Sequence, residues 1–554
     1  MAATKGLDSD SLQMLLETLN AYAKKRLPSK FLLELDEQDK CPLDTIKELL
    51  GPEVGLHLVF IPEEYGGLGG GAYDVFRVSE TMATIDLGIA TAFLAIFLGT
   101  DPIVVGATPE QRAHWMGRIA AEGLIVAYAV TEPLAGSEVS AIRTRAERVT
   151  EDGKIKGYKI TGNKQFISNG GIAQLYTVLA NTEGGPSFFA VEAGAKGLTS
   201  DKHENKHGIR SSNTTPVAFE DVYVPAENLL GGEEGKGLYH AQLVFGFTRL
   251  MVAAFGLGGG VAAMKRVIRY SRQRVQAGSV LAEKQAYMDK LIVPHVVRLE
   301  ASRAYITEIA RRIDEGSEPD FTTEGAIAKL HATEAGNAAA DAAIQGHGGY
   351  GYIRDYEVEK IRRDVRITTI YEGTSEIMQW TIARDRWRVH LQGRGEFYKK
   401  MAAGLDGLHL QAPDVGADAA AIAVRAVYEA TERARVGRLT RNQHVLFRLG
   451  EMMMQAEIAA NFCRYAAGRG DDRYKPLFAP AAVKQMSRVC ARSAAIDVVG
   501  EAVRWIGGCD TDGAGAADLD RALGVAQANQ ACRGLVADMD AVAHAIVEQD
   551  AALE

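Results

Sequence analysis

The chain of 554 residues carries a net charge of −9, with 47% hydrophobic and 24% charged residues, the balance of a globular protein long enough for about three or four domains. Its basic residues are dispersed rather than massed, which argues against nucleic acid or an anionic membrane surface as the main partner. Five cysteines, at 41, 463, 490, 509 and 532, form no CxxC pair and leave an odd total, so neither a disulfide framework nor a zinc knuckle is expected.

From Ser11 onward, Leu12, Leu15, Leu16, Leu19 and Tyr22 fall at helical spacing among Glu17, Lys24 and Lys25, the pattern of a domain helix and not of a signal segment. No apolar run is read as reaching the roughly 18 residues of a membrane span, so a cytoplasmic location without an integral membrane segment is expected. The helical pattern continues to residue 126 through runs at Val75 to Ile85 and Pro109 to Ala121, interrupted by the turn-rich Ile61 to Gly71. Between Val126 and Leu230 the texture becomes β-rich, with runs at Lys159 to Ile167, Tyr176 to Ala180, Ser187 to Val191 and Thr215 to Phe219 set among Gly, Asn, Asp and Pro. Helical periodicity returns from Leu238 to Leu391, notably at Ala262 to Arg274, Gln285 to Ile313 and Thr323 to Ile344. The stretch Gly404 to Asp418 reads as a boundary before further helices near 418–436, 445–468, 480–506 and 518–548. The expected domains are 1–126 helical, 127–235 β, 236–395 a helical bundle and 396–554 a helical extension.

Three motifs favour structural roles. His203 to His207 matches HExxH, but a zinc site needs both histidines on one helix face, and this copy lies in the turn-rich β region. No metal is expected. Phe255 to Val261, FGLGGGV, lacks the third glycine of a dinucleotide loop and follows no strand, so its glycines suit close helix packing. Met452, Met453 and Met454 suit gap filling in a core.

Two regions carry chemistry. In Arg363 to Trp380, RDVRITTIYEGTSEIMQW, Glu372 stands on a glycine-softened corner, and Thr374 or Ser375 can cap the helix that follows. In Tyr128 to Glu147, YAVTEPLAGSEVSAIRTRAE, a strand-like run enters a Thr-Glu-Pro turn followed by Gly136 and Ser137, whose N–H groups and hydroxyl can hold a polar ring edge or a phosphate. Lys164 to Gly171, KQFISNGG, adds an aromatic and a hydroxyl.

Taken with HGIRSSNTTPVAFEDVYVPAENLLG from His207 and QGHGGYGY from Gln345, these motifs resemble in kind and order the acyl-CoA dehydrogenase family over residues 10 to 390. The extension resembles that of the family's very-long-chain branch. The resemblance implies an α+β fold: an N-terminal helical domain, a middle β-barrel, a four-helix bundle and the extension. It implies an FAD-dependent oxidoreductase of fatty acid β-oxidation type that makes a trans-2-enoyl-CoA from an acyl-CoA thioester.

In that family the glutamate of the YEGT corner removes the α proton, here Glu372, with Tyr371 and Gly373 beside it as substrate contacts. Thr248 stands where some members carry an alternative base. The resemblance sets Tyr128, Val130, Thr131, Gly136 and Ser137 along the flavin, with Phe166 and Ser168 replacing the usual tryptophan and threonine. Arg274, Gln285, Gln345 and Gly349 match residues that receive the dinucleotide end of a neighbouring subunit's FAD, which implies a homodimer or homotetramer. Thr374 and Glu376 are further flavin positions, and Ser137 and Arg249 match contacts to CoA.

Several positions depart from the family pattern. Arg274-Val275-Gln276-Ala277-Gly278 lacks the usual threonine and aromatic, Leu134 and Glu138 alter the AGSD turn, and Gly246 replaces a pantetheine-binding side chain. An electron-transfer flavoprotein is the implied electron acceptor. The alternatives are an acyl-CoA oxidase that uses oxygen and a non-catalytic assembly protein on the same scaffold. Thr91 to Asp101, TAFLAIFLGTD, is expected to line the acyl cavity.

Overall fold

The structure is a computed structural model that describes residues 6–318, 320–470, 477–511 and 515–552, without the side chains of 245–247 and 550–552. Two compact units divide the chain: one runs to Met251 and includes Arg312–Phe321 and Arg363–Ile367, and the other holds the rest.

The first unit opens with six helices, α1 (Ser9–Arg26), α2 (Ser29–Glu37), α3 (Leu43–Leu50), α4 (Ala72–Ile85), α5 (Leu87–Gly106) and α6 (Pro109–Glu122). The Asp8 carboxylate accepts the Ser11 N–H at 2.8 Å to start α1, whose buried stripe is Leu12, Leu15, Leu16, Leu19 and Ala23. A capping box between Thr108 and Gln111 starts α6, and Gly123 ends it in the left-handed region. Helix α5 corrects one expectation. Its 20 residues at mean hydropathy 1.8 do reach the length and composition of a membrane span, because Asp101 is its only charge. It is a core helix, with 89% of that window buried inside the protein. The hydroxyls of Thr91 and Thr100 donate back to the carbonyls of Leu87 and Ile96, which satisfies them away from water.

Next come β1 (Val126–Ala129), β2 (Arg145–Glu151), β3 (Lys154–Ser168), β4 (Leu175–Thr182), β5 (Gly185–Glu192), β6 (Leu198–Ser200) and β7 (Thr214–Pro225). They form one curled seven-stranded sheet, ordered β1-β4-β2-β3-β7-β6, with β5 on the other side of β4. Strand β2 was not among the β-rich runs of the sequence, since only its Ala146 is buried; pairing with β3 makes it a strand. Two bulges interrupt β3 against β7, one between Ile160 and Gly162 and one between Lys164 and Ile167.

Helix α7 (Gly237–Gln273) is followed by the hairpin β8 (Val275–Gln276) and β9 (Ser279–Val280), then α8 (Gln285–Leu291), α9 (Val293–Asp314), α10 (Thr322–His347), α11 (Gly349–Tyr352), α12 (Glu357–Val365) and α13 (Ser375–Gln392). The extension contributes α14 (Glu396–Gln411), α15 (Ala417–Val436), α16 (Gln443–Ala466), α17 (Pro480–Trp505), α18 (Ala516–Leu523), α19 (Val525–Ala531) and α20 (Leu535–Ala552). The glycines of FGLGGGV act in packing: a Cβ on Gly256 would stand 2.6 Å from Thr333 Cα, and one on Gly336 only 2.0 Å from the Gly256 carbonyl oxygen. Met452, Met453 and Met454 are all buried.

Helix α16 packs on α13, and the buried Arg386 ties these elements together. Its guanidinium donates to Glu457 at 2.8 and 2.7 Å and to Glu324 at 2.9 Å, while the Tyr398 hydroxyl donates to Glu457 at 3.0 Å. Two expectations for the extension need correction. Residues 404–411 of the expected boundary are helical, because Ala402, Leu405 and Leu408 make a buried stripe that outweighs Gly404 and Gly407. The helix expected over 518–548 breaks at Gly524 and Gly534, both left-handed, giving α18, α19 and α20.

Candidate active site

In the first unit, the sheet joins the two motifs that sequence separates. Tyr128 on β1 stacks on Phe188, ring centroids 5.9 Å apart. The Thr131 carbonyl accepts the Gln165 N–H at 2.9 Å, and the Val130 carbonyl accepts from Lys164 Nζ at 3.0 Å. Lys164 is fully buried and donates also to the Leu179 carbonyl at 2.7 Å and to Glu132 Oε1 at 2.8 Å. Glu132 in turn accepts the N–H groups of Arg143 and Thr144, so a buried ion pair pins the Thr-Glu-Pro turn. Burial pushes the Lys164 ammonium down to about 8. Burial also works to raise Glu132, but Lys164, Thr144 and Arg143 outweigh it and hold the carboxyl below its usual range.

Gly136 and Ser137 are exposed on that turn, and a Cβ on Gly136 would meet nothing within 4 Å. Phe166 sits in the second bulge of β3 at φ 59°, and 63% of it is exposed. A large aromatic in a left-handed conformation, held open to solvent beside a polar turn, suits a flat ring laid against it. Ser168 pairs with Thr214 at the end of β3. Thr248 and Arg249 are buried on α7, and the Thr248 hydroxyl donates to the Val244 carbonyl at 3.2 Å. Gly246 lies among the residues whose side chains are not described. Thr91 to Asp101 are buried along their whole length.

In the second unit, Tyr371, Glu372 and Gly373 form a half-buried corner. Glu372 has φ 53° and Gly373 φ 96°, two consecutive left-handed residues that reverse the chain before α13. Thr374 caps that helix through its hydroxyl, which accepts the Ile377 N–H at 3.3 Å, and Glu376 is exposed in the first turn.

A cavity of about 550 Å³ in the same unit is lined by Arg274, Gln345, Gly349, Tyr270, Gln276 and Tyr287, among others. Arg274 lies over the Tyr350 ring, 5.7 Å from its centroid, and the Tyr287 hydroxyl donates to the Gly346 carbonyl at 2.9 Å. The cavity thus gathers three of the four residues expected at a dinucleotide end. Gln285 is not among its lining; its amide donates to Asp540 of α20 at 2.7 Å. Gln276 brings a hydrogen-bonding side chain into the stretch that lacks the usual threonine, on a hairpin turned by Ala277 and Gly278, both left-handed.

The HExxH segment is not helical: His203 Nδ1 accepts the Thr214 N–H at 3.3 Å, and its Nε2 lies 3.3 Å from Asp39. Among the described residues no cluster of His, Cys, Asp and Glu has the arrangement of a metal site. Among the described residues, two lysines of zero exposure escaped the sequence reading, Lys164 in β3 and Lys329 in α10. A lysine inside an apolar run, as in AIAKLHA from Ala326, is the signal that could have marked Lys329.

Three domain models match: the acyl-CoA dehydrogenase N-terminal domain over residues 9–123, the middle domain over 127–222 and the C-terminal domain over 235–386. The acryloyl-CoA reductase (NADH) of Anaerotignum propionicum is 36% identical over 358 residues, 64% of this chain and 88% of that protein. The chain belongs to the acyl-CoA dehydrogenase family.

Like other acyl-CoA dehydrogenases it is an oxidoreductase whose cofactor is FAD. A solved acyl-CoA dehydrogenase complexed with FAD from Bacillus anthracis is similar at TM-score 0.83 and 23% identity, over 98% of this chain and 96% of that one, so the fold likeness takes in the extension. A structure described as the electron transferring flavoprotein of Acidaminococcus fermentans is similar at TM-score 0.64 and 32% identity, over 69% of this chain and 98% of that one. The residues present fit FAD. Phe166 and the open Gly136 turn suit a flat ring with a polar edge, and Arg274 with the glycines at 348 and 349, where an added Cβ would meet nothing, suits phosphates.

Proposed function

We propose that this acyl-CoA dehydrogenase catalyses α,β-dehydrogenation of an acyl-CoA thioester to the trans-2-enoyl-CoA, with Glu372 as the base that takes the α proton. FAD, when bound, supplies the hydride acceptor for the β hydrogen. The observation that carries this reading is the corner itself, where a carboxylate is held on a left-handed backbone one residue before a left-handed glycine and two before the threonine that caps α13. A side chain on so constrained a backbone has few directions open to it, which favours a defined proton-transfer geometry.

An α C–H is a poor acid, so the thioester oxygen needs donors that stabilise developing enolate charge, and the Glu372 N–H is assigned that role. Thr248 carries no carboxylate and its hydroxyl is already engaged, which supports Glu372 over the alternative base position. The buried Lys164–Glu132 pair holds the turn from Val130 to Ser137, the segment assigned to the polar edge of the ring. Ser137 and Arg249 are assigned to the CoA nucleotide, and the apolar stretch Thr91 to Asp101 favours an aliphatic or cyclic acyl group.

Electrons pass to an electron-transfer flavoprotein, a partner suggested by the Acidaminococcus likeness. The protein is at least a dimer, because the Arg274, Gln345 and Gly349 cavity is assigned to the cofactor of a neighbouring subunit. The test mixes the purified enzyme anaerobically with a panel of saturated acyl-CoA esters and follows loss of the flavin absorbance, then adds either electron-transfer flavoprotein or oxygen. Bleaching by at least one ester with fast recovery through the flavoprotein is expected. No bleaching by any ester contradicts the reaction, and fast recovery in oxygen alone makes the enzyme an oxidase.

A further inference from the structure

We infer that Lys329 is a positioning residue for Glu372, an assignment that rests on the reading of Glu372 as the base. Two consecutive left-handed residues, the second a glycine, make a backbone that the corner's own sequence does not hold in place, since glycine alone selects no single conformation. The lock comes from α10. Lys329 is fully buried there, and its Nζ donates to the Gly373 carbonyl at 2.6 Å, a short charge-assisted bond onto the Gly373–Thr374 peptide, the second peptide after the base.

Helix α10 meets the corner segment at two more points. The Ser375 hydroxyl donates to Glu334 Oε1 at 2.5 Å, and Asn337 Nδ2 donates to Thr368 Oγ1 at 3.4 Å. Residues 329, 333 and 337 form one row spaced by about a helical turn, from which Lys329 and Asn337 reach positions 373 and 368, while Glu334, about 100° round the helix from 333, reaches 375, so α10 holds the segment around Glu372 at three points. Thr333 completes that row by donating its hydroxyl to the Lys329 carbonyl at 2.8 Å, which leaves the face without an unmet hydroxyl. Asn337 is itself held, because its Oδ1 accepts from Arg362 at 3.3 Å.

A buried ammonium is costly to desolvate, and a structural contact between a helix and a loop could be made by an apolar side chain instead. What the ammonium adds is direction: it fixes which way the Gly373 carbonyl points, and therefore the plane of the Gly373–Thr374 peptide, the nearer to the cap of the two peptides that join the base to α13. Lys329 makes no claim on the proton itself; it acts through the backbone.

The test compares wild type, Lys329→Met and Glu372→Gln for FAD content, for affinity toward a non-reducing acyl-CoA thioether, and for the anaerobic rate of flavin reduction across pH. For Lys329→Met the expected result is full FAD content, thioether affinity within about threefold of wild type, and a reduction rate lower by about a hundredfold, the usual consequence of a base displaced by about an ångström. The inflection of its pH–rate profile stays where wild type has it while the plateau falls. Reduction by Lys329→Met at the wild-type rate, with Glu372→Gln inactive, overturns the inference and leaves the base reading intact. A profile displaced by more than about one pH unit also overturns it, since Lys329 then acts by its charge on the base. Wild-type reduction by Glu372→Gln removes the base reading itself. If Lys329→Met does not fold, Lys329→Arg and Lys329→Gln, which keep a donor with altered reach, are each expected to lose at least about tenfold in rate at unchanged thioether affinity, and wild-type rates in both overturn the inference.

Discussion

Lys164→Met tests whether the buried pair in the sheet holds the flavin-facing turn. Methionine matches the length and apolar stem of lysine, so the change removes the ammonium with little change in volume. All three ammonium protons are used, on Val130, Leu179 and Glu132, and the pair is buried at 0% and 5% side-chain exposure. The variant leaves two buried carbonyls short of a donor and strands the Glu132 carboxylate on two backbone N–H groups. Removing one partner of such a pair costs about 3–5 kcal/mol, which is roughly two to three and a half orders of magnitude in a local opening equilibrium.

Hydrogen–deuterium exchange under conditions where opening is at equilibrium reads that quantity directly, in peptides covering residues 126–146 and 160–182. Protection there is expected to fall by that factor while peptides of α14 to α17 are unchanged. Adding Glu132→Gln to Lys164→Met is expected to restore more than half of the loss, because the stranded charge is gone. Protection within about threefold of wild type in the single variant, or a double variant whose losses simply add, refutes the argument.

Arg386→Met leaves Glu324 and Glu457 buried without their cation, and a loss of about 3–5 kcal/mol is expected, seen as earlier unfolding of α13 and α16 in the same exchange experiment. Gly336→Ala pushes a methyl into the Gly256 carbonyl and is expected to lower the thermal midpoint, by overpacking worth at least about 1–3 kcal/mol. Gly404→Ala, in α14 with nothing within 4 Å of the new carbon, is expected instead to gain about 0.5–1 kcal/mol in the same scan. Glu234 accepts a bidentate pair of bonds from Arg148 at 2.8 Å, and that guanidinium, against the opposing effect of burial, holds its carboxyl down at about 2. A carboxyl depressed on folding from 4.5 contributes stability that is complete above pH 4.5 and is lost as pH falls toward about 2. Wild type is therefore expected to lose sheet stability across that window in an acid titration followed by circular dichroism, and Glu234→Gln to show a flatter profile.

Much of this molecule was legible because its signals are local. The leucine stripe of α1, the glycines of α7 and the Thr374 cap each need only a few neighbouring residues, and each took the form that spacing dictated. Strand β2 escaped because its residues are mostly polar and its conformation is dictated by the strand beside it. The boundary at 404–418 misled for a related reason: glycine weakens a helix by a modest amount, whereas Ala402, Leu405 and Leu408 bury a whole stripe. At the candidate site, the motifs marked the turn and the corner but not what holds them. Lys164 and Lys329 act on carbonyls far away in sequence, and such pairings appear only once the chain is folded. Gln285 is the converse case: its motif position fits the dinucleotide cavity, but Asp540, 255 residues away, takes its amide.

The central claim is that Glu372 removes the α proton. The measurement that meets it most directly is the anaerobic single-turnover rate of flavin reduction in Glu372→Gln, with an ester that bleaches the wild-type enzyme. The glutamine keeps the size of the side chain and removes the base, so FAD content and thioester affinity are expected to stay within about threefold of wild type while the rate falls by about 10⁴. A variant that binds the ester normally and reduces the flavin at the wild-type rate contradicts the account.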